Sequence, residues 1–241
     1  MKTFAVLGLG EAGARIAADL EAAGVDVRGY DPAVANGVAD AFDAVYDRDV
    51  VLSFTSAAAA AAALSSALPA LRADAVYADV NTARPALKRE LAALAGARFA
   101  DVALLGPVPA RGLGTPAVAS GSSAQAFADA LAPLGMPVQV ISSRPGDAAA
   151  LKLVRSVFMK GLAAAVLESA DAAEALGERA WLEDQVAGVI GGPLLERLVA
   201  GSRTHAVRRV EEMDAACELL VELGVEPRVA TASRELLADL E

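Results

Sequence analysis

Short apolar runs alternate with helical patterns along the first two thirds of the chain. TFAVLGLG (3–10) reads as a buried strand and AGARIAADLEAAG (12–24) as a helix ended by Gly24. VDVRGYD (25–31) and DVVLSFTS (49–56) are the next strands, the second leading into an alanine-rich helix that stops near Pro69. AVYADVN (75–81) is a strand, RPALKRELAALAG (84–96) a helix with Pro85 in its first turn, and FADVALLG (99–106) a strand. After a Pro/Gly-rich loop come the strand TPAVASG (115–121), the helix SAQAFADALAPLG (123–135) and the strand PVQVISS (137–143). Strands alternating with helices of about 10–15 residues predict a mainly parallel sheet covered on both faces, an α/β fold of the Rossmann type.

Beyond RPG (144–146) the pattern is helical throughout, with helices expected at about 147–177, 179–190, 192–200, 204–223 and 228–240. The sequence therefore divides into a Rossmann-type domain over 1–146 and a smaller all-helical domain over 147–241. The first helix of that domain is unusually long for so small a unit. Its length suggests sharing across an interface, so a homodimer is expected.

Composition narrows the function. The chain has 241 residues, 55% hydrophobic and 22% charged, which suits a globular protein with a real core. A formal net charge of −10 argues against nucleic acid, whose binders carry basic patches. Cys217 permits no internal disulfide or cysteine cluster and reads as a small buried thiol; His205, the single histidine, excludes a poly-histidine metal site. Met213 and Trp181 read as core. The start MKTFAVLGLG looks superficially like a signal peptide, but Glu11 and Arg15 interrupt its apolar run. The alanine run at 57–63 is too weakly hydrophobic for a membrane span. A cytoplasmic protein without metal, membrane or nucleic-acid partner is expected.

GLGEAG, residues Gly8, Leu9, Gly10, Glu11, Ala12 and Gly13, matches G-x-G-x-x-G directly after a strand and at the start of a helix. Gly8 permits the tight turn, Gly10 lets the backbone approach a pyrophosphate, and Gly13 allows close helix–strand packing. The diphosphate then meets the free N–H groups and dipole of a helix N-terminus. Asp31 stands at the end of the second strand, where a carboxylate accepts hydrogen bonds from an adenine-ribose diol and repels a 2′-phosphate. Pro32 occupies the place where an arginine would welcome that phosphate, so NAD is favoured over NADP. Phe54, Thr55 and Ser56 end one strand and Asn81 and Thr82 another. Singly these are cap and turn residues; together they suit the walls of a nicotinamide pocket.

This layout resembles the β-hydroxyacid dehydrogenase family, which includes the 3-hydroxyisobutyrate and 6-phosphogluconate dehydrogenases. The resemblance runs from GLGEAG through DVNTARP (79–85), DVALLGPVPARGLGTPAVASG (101–121) and PGDAAALKLVRS (145–156). Asp79, Thr82 and Pro85 match the family's D-x-S-T-x-x-P segment, with Asn81 in place of the serine. Leu105, Gly106 and Pro107 replace its S-G-G substrate loop, which removes a hydroxyl expected to hold a substrate carboxylate. Lys152 matches the catalytic lysine, while Arg155 and Ser156 replace the paired asparagines that follow it. KLVRSVFMKG (152–161) and HAVRRVEEM (205–213) resemble a subgroup whose C-terminal helical domain has no settled function.

At 100° per residue, Lys152, Arg155, Ser156 and Lys160 fall within a sector of about 140° on an otherwise apolar helix. A helix apolar nearly all round is buried, so its polar stripe must meet something. The resemblance implies that Lys152 takes or gives the hydroxyl proton while a hydride passes to or from nicotinamide. Arg155 or Lys160 would bind an anionic group of a small substrate, near Gly106, and Ser156 would replace a lost asparagine hydrogen bond. His205 and Arg208 could reach the same anion; equally, Arg208 and Arg209 could pair with Glu211 or Glu212 at the surface. Three readings stay open: a dehydrogenase acting on a hydroxyl/carbonyl pair, an imine reductase on the same scaffold, and a dinucleotide-binding sensor without turnover.

Overall fold

The computed structural model describes residues 2–35 and 37–240. Seven strands form one sheet: β1 (Phe4–Leu7), β2 (Val27–Tyr30), β3 (Val50–Ser53), β4 (Val76–Asp79), β5 (Phe99–Leu104), β6 (Ala117–Ser120) and β7 (Val138–Ser142), in the order β2-β1-β3-β4-β5-β6-β7. All neighbours are parallel except β5 and β6. Parallel pairs need a crossover, and helices supply it: α1 (Glu11–Ala22), α2 (Ala41–Val45), α3 (Ala60–Ala67) and α4 (Pro85–Ala95), then α6 (Ala124–Leu131) between β6 and β7. The β5–β6 connection contains only the short α5 (Val108–Arg111), and the strand it delivers runs antiparallel.

Side chains on a strand alternate between faces, and β1 feeds two apolar layers in this way. Phe4 and Val6 join Ile16, Leu20 and Leu52 in one, while Ala5 and Leu7 join Val51, Leu64, Tyr77 and Leu91 in the other. Ile16 and Leu20, fully buried one turn apart on α1, each stabilise the fold by roughly 1.5–3 kcal/mol. The fold class expected from the pattern is the one observed.

The chain separates into two compact units, Met1–Lys152 and Leu153–Glu241. The first holds the sheet, its helices and the opening turns of α7 (Asp147–Ala175). The second holds the rest of α7 with α8 (Arg179–Ile190), α9 (Gly192–Thr204), α10 (Ala206–Glu222) and α11 (Arg228–Ala238). Helix α9 runs one turn beyond the expected 192–200. Ala163, Val166 and Leu198 form a small core in this unit, and Met213, Ala216 and Leu219 line the buried side of α10. At Gly161 a Cβ would come within 2.7 Å of the Val229 methyl, so glycine lets α7 and α11 approach closely.

Some burial expectations fail. Trp181 is 60% exposed, because α8 buries no residue fully among those described. Cys217 is half-buried with Thr231 Oγ1 at 3.8 Å. On α7, Leu151, Val154 and Phe158 are exposed although Ser156 is buried. The helix was expected to bury its apolar sides; instead one apolar stripe faces outward and the polar side finds partners.

Candidate functional site

The glycine turn lies in the sheet unit between β1 and α1. Gly8 has φ +89°, and a Cβ there would sit 2.5 Å from the Phe54 carbonyl oxygen. A Cβ on Gly13 would overlap the Gly8 carbonyl oxygen, whereas one on Gly10 would meet nothing within 4 Å. Two glycines thus close the turn against β3 and the third leaves open space beside it. Gly10 is the N-cap of α1 and supplies no side-chain cap, so the first N–H groups of the helix remain available to an anion. These features fit a dinucleotide diphosphate.

Asp31 follows β2, and its Oδ2 accepts the Leu9 N–H at 2.8 Å while Oδ1 accepts the Ala33 N–H at 2.9 Å. The carboxylate is therefore held against the glycine turn, and each oxygen keeps a further lone pair for a ribose hydroxyl. Leu9 lies over Gly29 of β2, where a Cβ would come 2.9 Å from its Cδ2. Glu11 is exposed and Ala12 half-buried at the start of α1. The site residues at the end of β3 divide. Phe54 packs beneath the glycine turn, while Ser56 Oγ accepts the Ala59 N–H at 3.2 Å and shapes the approach to α3. Thr55 Oγ1 accepts from Asn81 Nδ2 at 3.2 Å, which joins the ends of β3 and β4.

Lys152, in the second turn of α7, donates from Nζ to Thr82 Oγ1 at 2.7 Å across 70 residues of sequence. Thr82 lies just past the carboxyl end of β4, beside Asn81, and open α/β sheets bind ligands at such ends. Gly106 follows β5, and a Cβ there would lie 3.7 Å from Arg111 Cδ and 3.6 Å from the Thr115 methyl. The sheet unit thus gathers Asn81, Thr82 and Lys152.

A buried ionic group missed by the sequence reading stands behind them. Lys88 of α4 is fully buried and pairs closely with Asp79 Oδ1; it donates to the Asp79 carbonyl at 2.9 Å and lies 3.4 Å from Asp101 Oδ1. Burial opposes its charge, but the Asp79 and Asp101 carboxylates outweigh that and hold the ammonium above the ordinary lysine range. One signal was available: Lys88 shares a buried stripe with Leu91 and Ala95, at spacings that put all three on one helix face.

The remaining candidates belong to the helical unit. Ser156 donates to Glu212 Oε1, and Lys160 Nζ lies 2.9 Å from Glu212 Oε2. The two sequence motifs do meet, but through Glu212; among the described residues, His205 and Arg208 make no hydrogen bond to Ser156 or Lys160. His205 is half-buried at the N-terminus of α10, and Arg208 and Arg155 are exposed. Arg209 donates to Ser202 Oγ at 2.5 Å. Burial, with Arg209 and Arg155 nearby, lowers the Lys160 pKa despite Glu212. No group of three or more His, Cys, Asp or Glu suited to a metal ion occurs among the described residues, and none of the helices there is long and apolar enough to cross a membrane.

Fold and glycine turn together define a Rossmann-type domain joined to a helical one. Residues 161–240 match the family described as Domain of unknown function (DUF1932). An uncharacterized 28.5 kDa protein of Methanothermus fervidus is 28% identical over 170 residues; the match covers 69% of this chain and 66% of that protein, just under two thirds of its length. The structure of conserved protein MTH1747, described as similar to 3-hydroxyacid dehydrogenases, aligns at TM-score 0.74 and 27% identity over 99% of this chain and 96% of its own. A Mycobacterium tuberculosis 3-hydroxyisobutyrate dehydrogenase with L-serine aligns at TM-score 0.81 and 21% identity over 99% and 93%. An Aspergillus terreus reductive aminase with NADPH and ethyl levulinate aligns at TM-score 0.68 and 18% identity over 99% and 93%. The chain has the fold of the 3-hydroxyisobutyrate dehydrogenases, as its motifs led one to expect, and the DUF1932 match lies within its helical C-terminal part.

Proposed function

We propose that the protein is an NAD(P)-dependent oxidoreductase, NAD-preferring, that acts on a hydroxyl/carbonyl carbon of a small anionic substrate. The observation that carries this reading is Lys152 Nζ on Thr82 Oγ1 at the strand ends of the unit that also holds the glycine turn. Gly8, Gly10, Gly13 and the first turn of α1 would hold the diphosphate, and Asp31 the adenine ribose. The bound nicotinamide supplies the carbon that accepts or donates hydride. Lys152 moves the substrate's hydroxyl proton at Nζ, and Thr82 keeps that ammonium aimed along the strand ends. Arg155, Gly106, His205 and Arg208 are our candidates for substrate contacts. Ser156 and Lys160 would join them by exchanging Glu212 for the substrate anion.

We assign residues 1–146 to cofactor binding and 147–241 to substrate binding and homodimer formation, in a cytoplasmic enzyme. The apolar stripe Leu151, Val154 and Phe158 on α7 supports the second copy. Imine reduction is the second reading, favoured by Leu105, Gly106 and Pro107 in place of a hydroxyl-bearing substrate loop and by the likeness to a reductive aminase.

Purified protein with NAD or NADP and a panel of hydroxy acids, sugar acids and imines, followed at the nicotinamide absorbance, tests both. Lys152→Ala should lower kcat/KM by about 10²–10⁴-fold; full activity in that variant would remove the lysine from the chemistry. Asp31→Ala should narrow the NAD/NADP ratio about tenfold, on the order of one lost charge-assisted hydrogen bond. An unchanged ratio means that Asp31 does not read the ribose. Dinucleotide binding without turnover on any panel member would make the protein a sensor.

A further inference from the structure

Asp79 and Asp101 are register partners on the neighbouring strands β4 and β5, so their side chains share one face of the sheet. Lys88 stands between them. Two like charges at that spacing would not both stay ionised inside a core, and the ammonium makes the pair tenable. What matters more is where the far oxygens of the two carboxylates lead.

Asp79 Oδ2 accepts from Asn81 Nδ2 at 2.7 Å. The same nitrogen reaches Thr55 Oγ1 at 3.2 Å and Ser53 Oγ at 3.4 Å. The amide is thereby turned with its nitrogen towards Asp79 and its oxygen away. Asp101 Oδ2 accepts the N–H groups of Gly146 at 3.0 Å and Ala149 at 3.1 Å and the Ser120 hydroxyl at 3.0 Å. Ser120 Oγ in turn accepts the Ala148 N–H at 3.0 Å. The first turn of α7 is therefore tied to the sheet by a carboxylate at its positive end, one turn before Lys152. Lys152 then closes the circuit by donating to Thr82, next to Asn81.

We propose that Asp79, Lys88 and Asp101 are positioning residues, a buried triad that sets the Asn81 amide and the Lys152-bearing turn of α7 against each other without touching a ligand. A lysine placed only to stabilise the core would need one carboxylate. Here each carboxylate keeps its second oxygen for a different wall of the candidate site, and the ammonium couples the two walls. The inference rests on the assignment of Asn81 and Lys152 to the site.

The test uses the full chain with Asp79→Asn, Lys88→Met and Asp101→Asn combined, which removes all three charges at nearly constant volume. Replacing a buried ionic cluster by neutral groups of similar size is often tolerated. Folding is followed by thermal melting, dinucleotide affinity by NADH and NADPH titration, and the Lys152 titration by pH-dependent acetylation read by mass spectrometry. The triad is supported if the folded triple variant binds NADH about tenfold more weakly and its Lys152 acetylation midpoint moves by about half a unit or more. Adding Asn81→Ala to it should cost little beyond the triple variant itself, as expected of residues that act as one group. A folded triple variant with wild-type NADH affinity and an unmoved Lys152 midpoint overturns the proposal and leaves a plain core ion cluster. If the wild type binds neither dinucleotide, the cofactor reading falls, and the Lys152 midpoint alone supports or overturns the triad. If the triple variant does not fold, Ser120→Ala decides in the same way. It removes the hydroxyl between Asp101 and Ala148, and the Lys152 midpoint either moves or shows that the link carries no influence.

Discussion

In the sheet unit every residue of β1, β3, β4, β5 and β6 is buried, and Lys88 in that core is held between two aspartates. In the helical unit Phe158, Leu176, Trp181, Val189 and Val207 are 60–85% exposed, while Ser156 and Ser202 are buried. The first unit leaves Phe42, Leu94 and Tyr46 45–59% exposed; the second turns a larger part of its apolar surface outward. Exposed apolar side chains on this scale need a cover, and they fit the proposal that the helical unit completes its packing against a second copy. Each unit also pairs a lysine with carboxylate, Lys88 fully buried and Lys160 partly so, and the two contrast in the same sense. Lys88 gains more from its carboxylates than burial takes away, whereas for Lys160 burial outweighs Glu212.

Removing each lysine sharpens that contrast. Lys88→Met alone should destabilise the protein by about 3–5 kcal/mol in urea unfolding, because it leaves two buried carboxylates facing each other. Lys160→Met should cost less, about 1–3 kcal/mol, since Glu212 keeps the Ser156 hydroxyl. Equal losses would erase the distinction between the units. The pH dependence separates them by sign. Lys160 has a lowered folded pKa, so below the ordinary lysine value of 10.5 the unfolded chain binds more protons and stability rises with pH in that window. Lys88 has a raised one, so its contribution is complete below 10.5 and is lost as pH climbs through the folded value. Unfolding free energies measured from neutral to strongly alkaline pH should rise and then fall, with the rise absent in Lys160→Met. A monotonic decline in the wild type would contradict the Lys160 assignment. The smallest effect on the monomer's own stability is expected for Phe158→Ser, within about 0.5 kcal/mol at an exposed site. Sedimentation should nevertheless show weaker self-association, and an unchanged dimer would remove the α7 stripe from the interface.

Much of the sheet unit was legible because its signals are local. Short continuous apolar runs located the strands, and GLGEAG between a strand and a helix marked the turn that Gly8 and Gly13 close by contact. Lys152 was readable from its motif, but its partner Thr82 lies 70 residues away and no spacing rule connects them. Lys88 escaped because a lysine on a helix reads as surface, and only the in-register aspartates of two strands reveal why it is inside. In the helical unit the helices were legible but their orientations were not. Along α7, which passes from the sheet unit into the helical one, Leu151, Val154 and Phe158 read as core, yet they stand outside, because the opposite side of the helix had polar partners to satisfy.

The reversed strand β6 has a consequence for how the chain can change length. β6 and β7 both run against β1–β5, so the chain leaves the sheet near the level of Asp101 and Ser120. It must travel back to bring Lys152 to Thr82. Thr82 stands three residues past Asp79, the register partner of Asp101, and from Gly146 to Lys152 the helix rises about 9 Å. With its first turn tied to Asp101 and Lys152 donating to Thr82, the opening of α7 works as a ruler zeroed at Asp101 and read at Lys152. One inserted residue would carry the lysine about 100° around the axis and 1.5 Å further along it. Positions between those marks can therefore change in identity far more freely than in number.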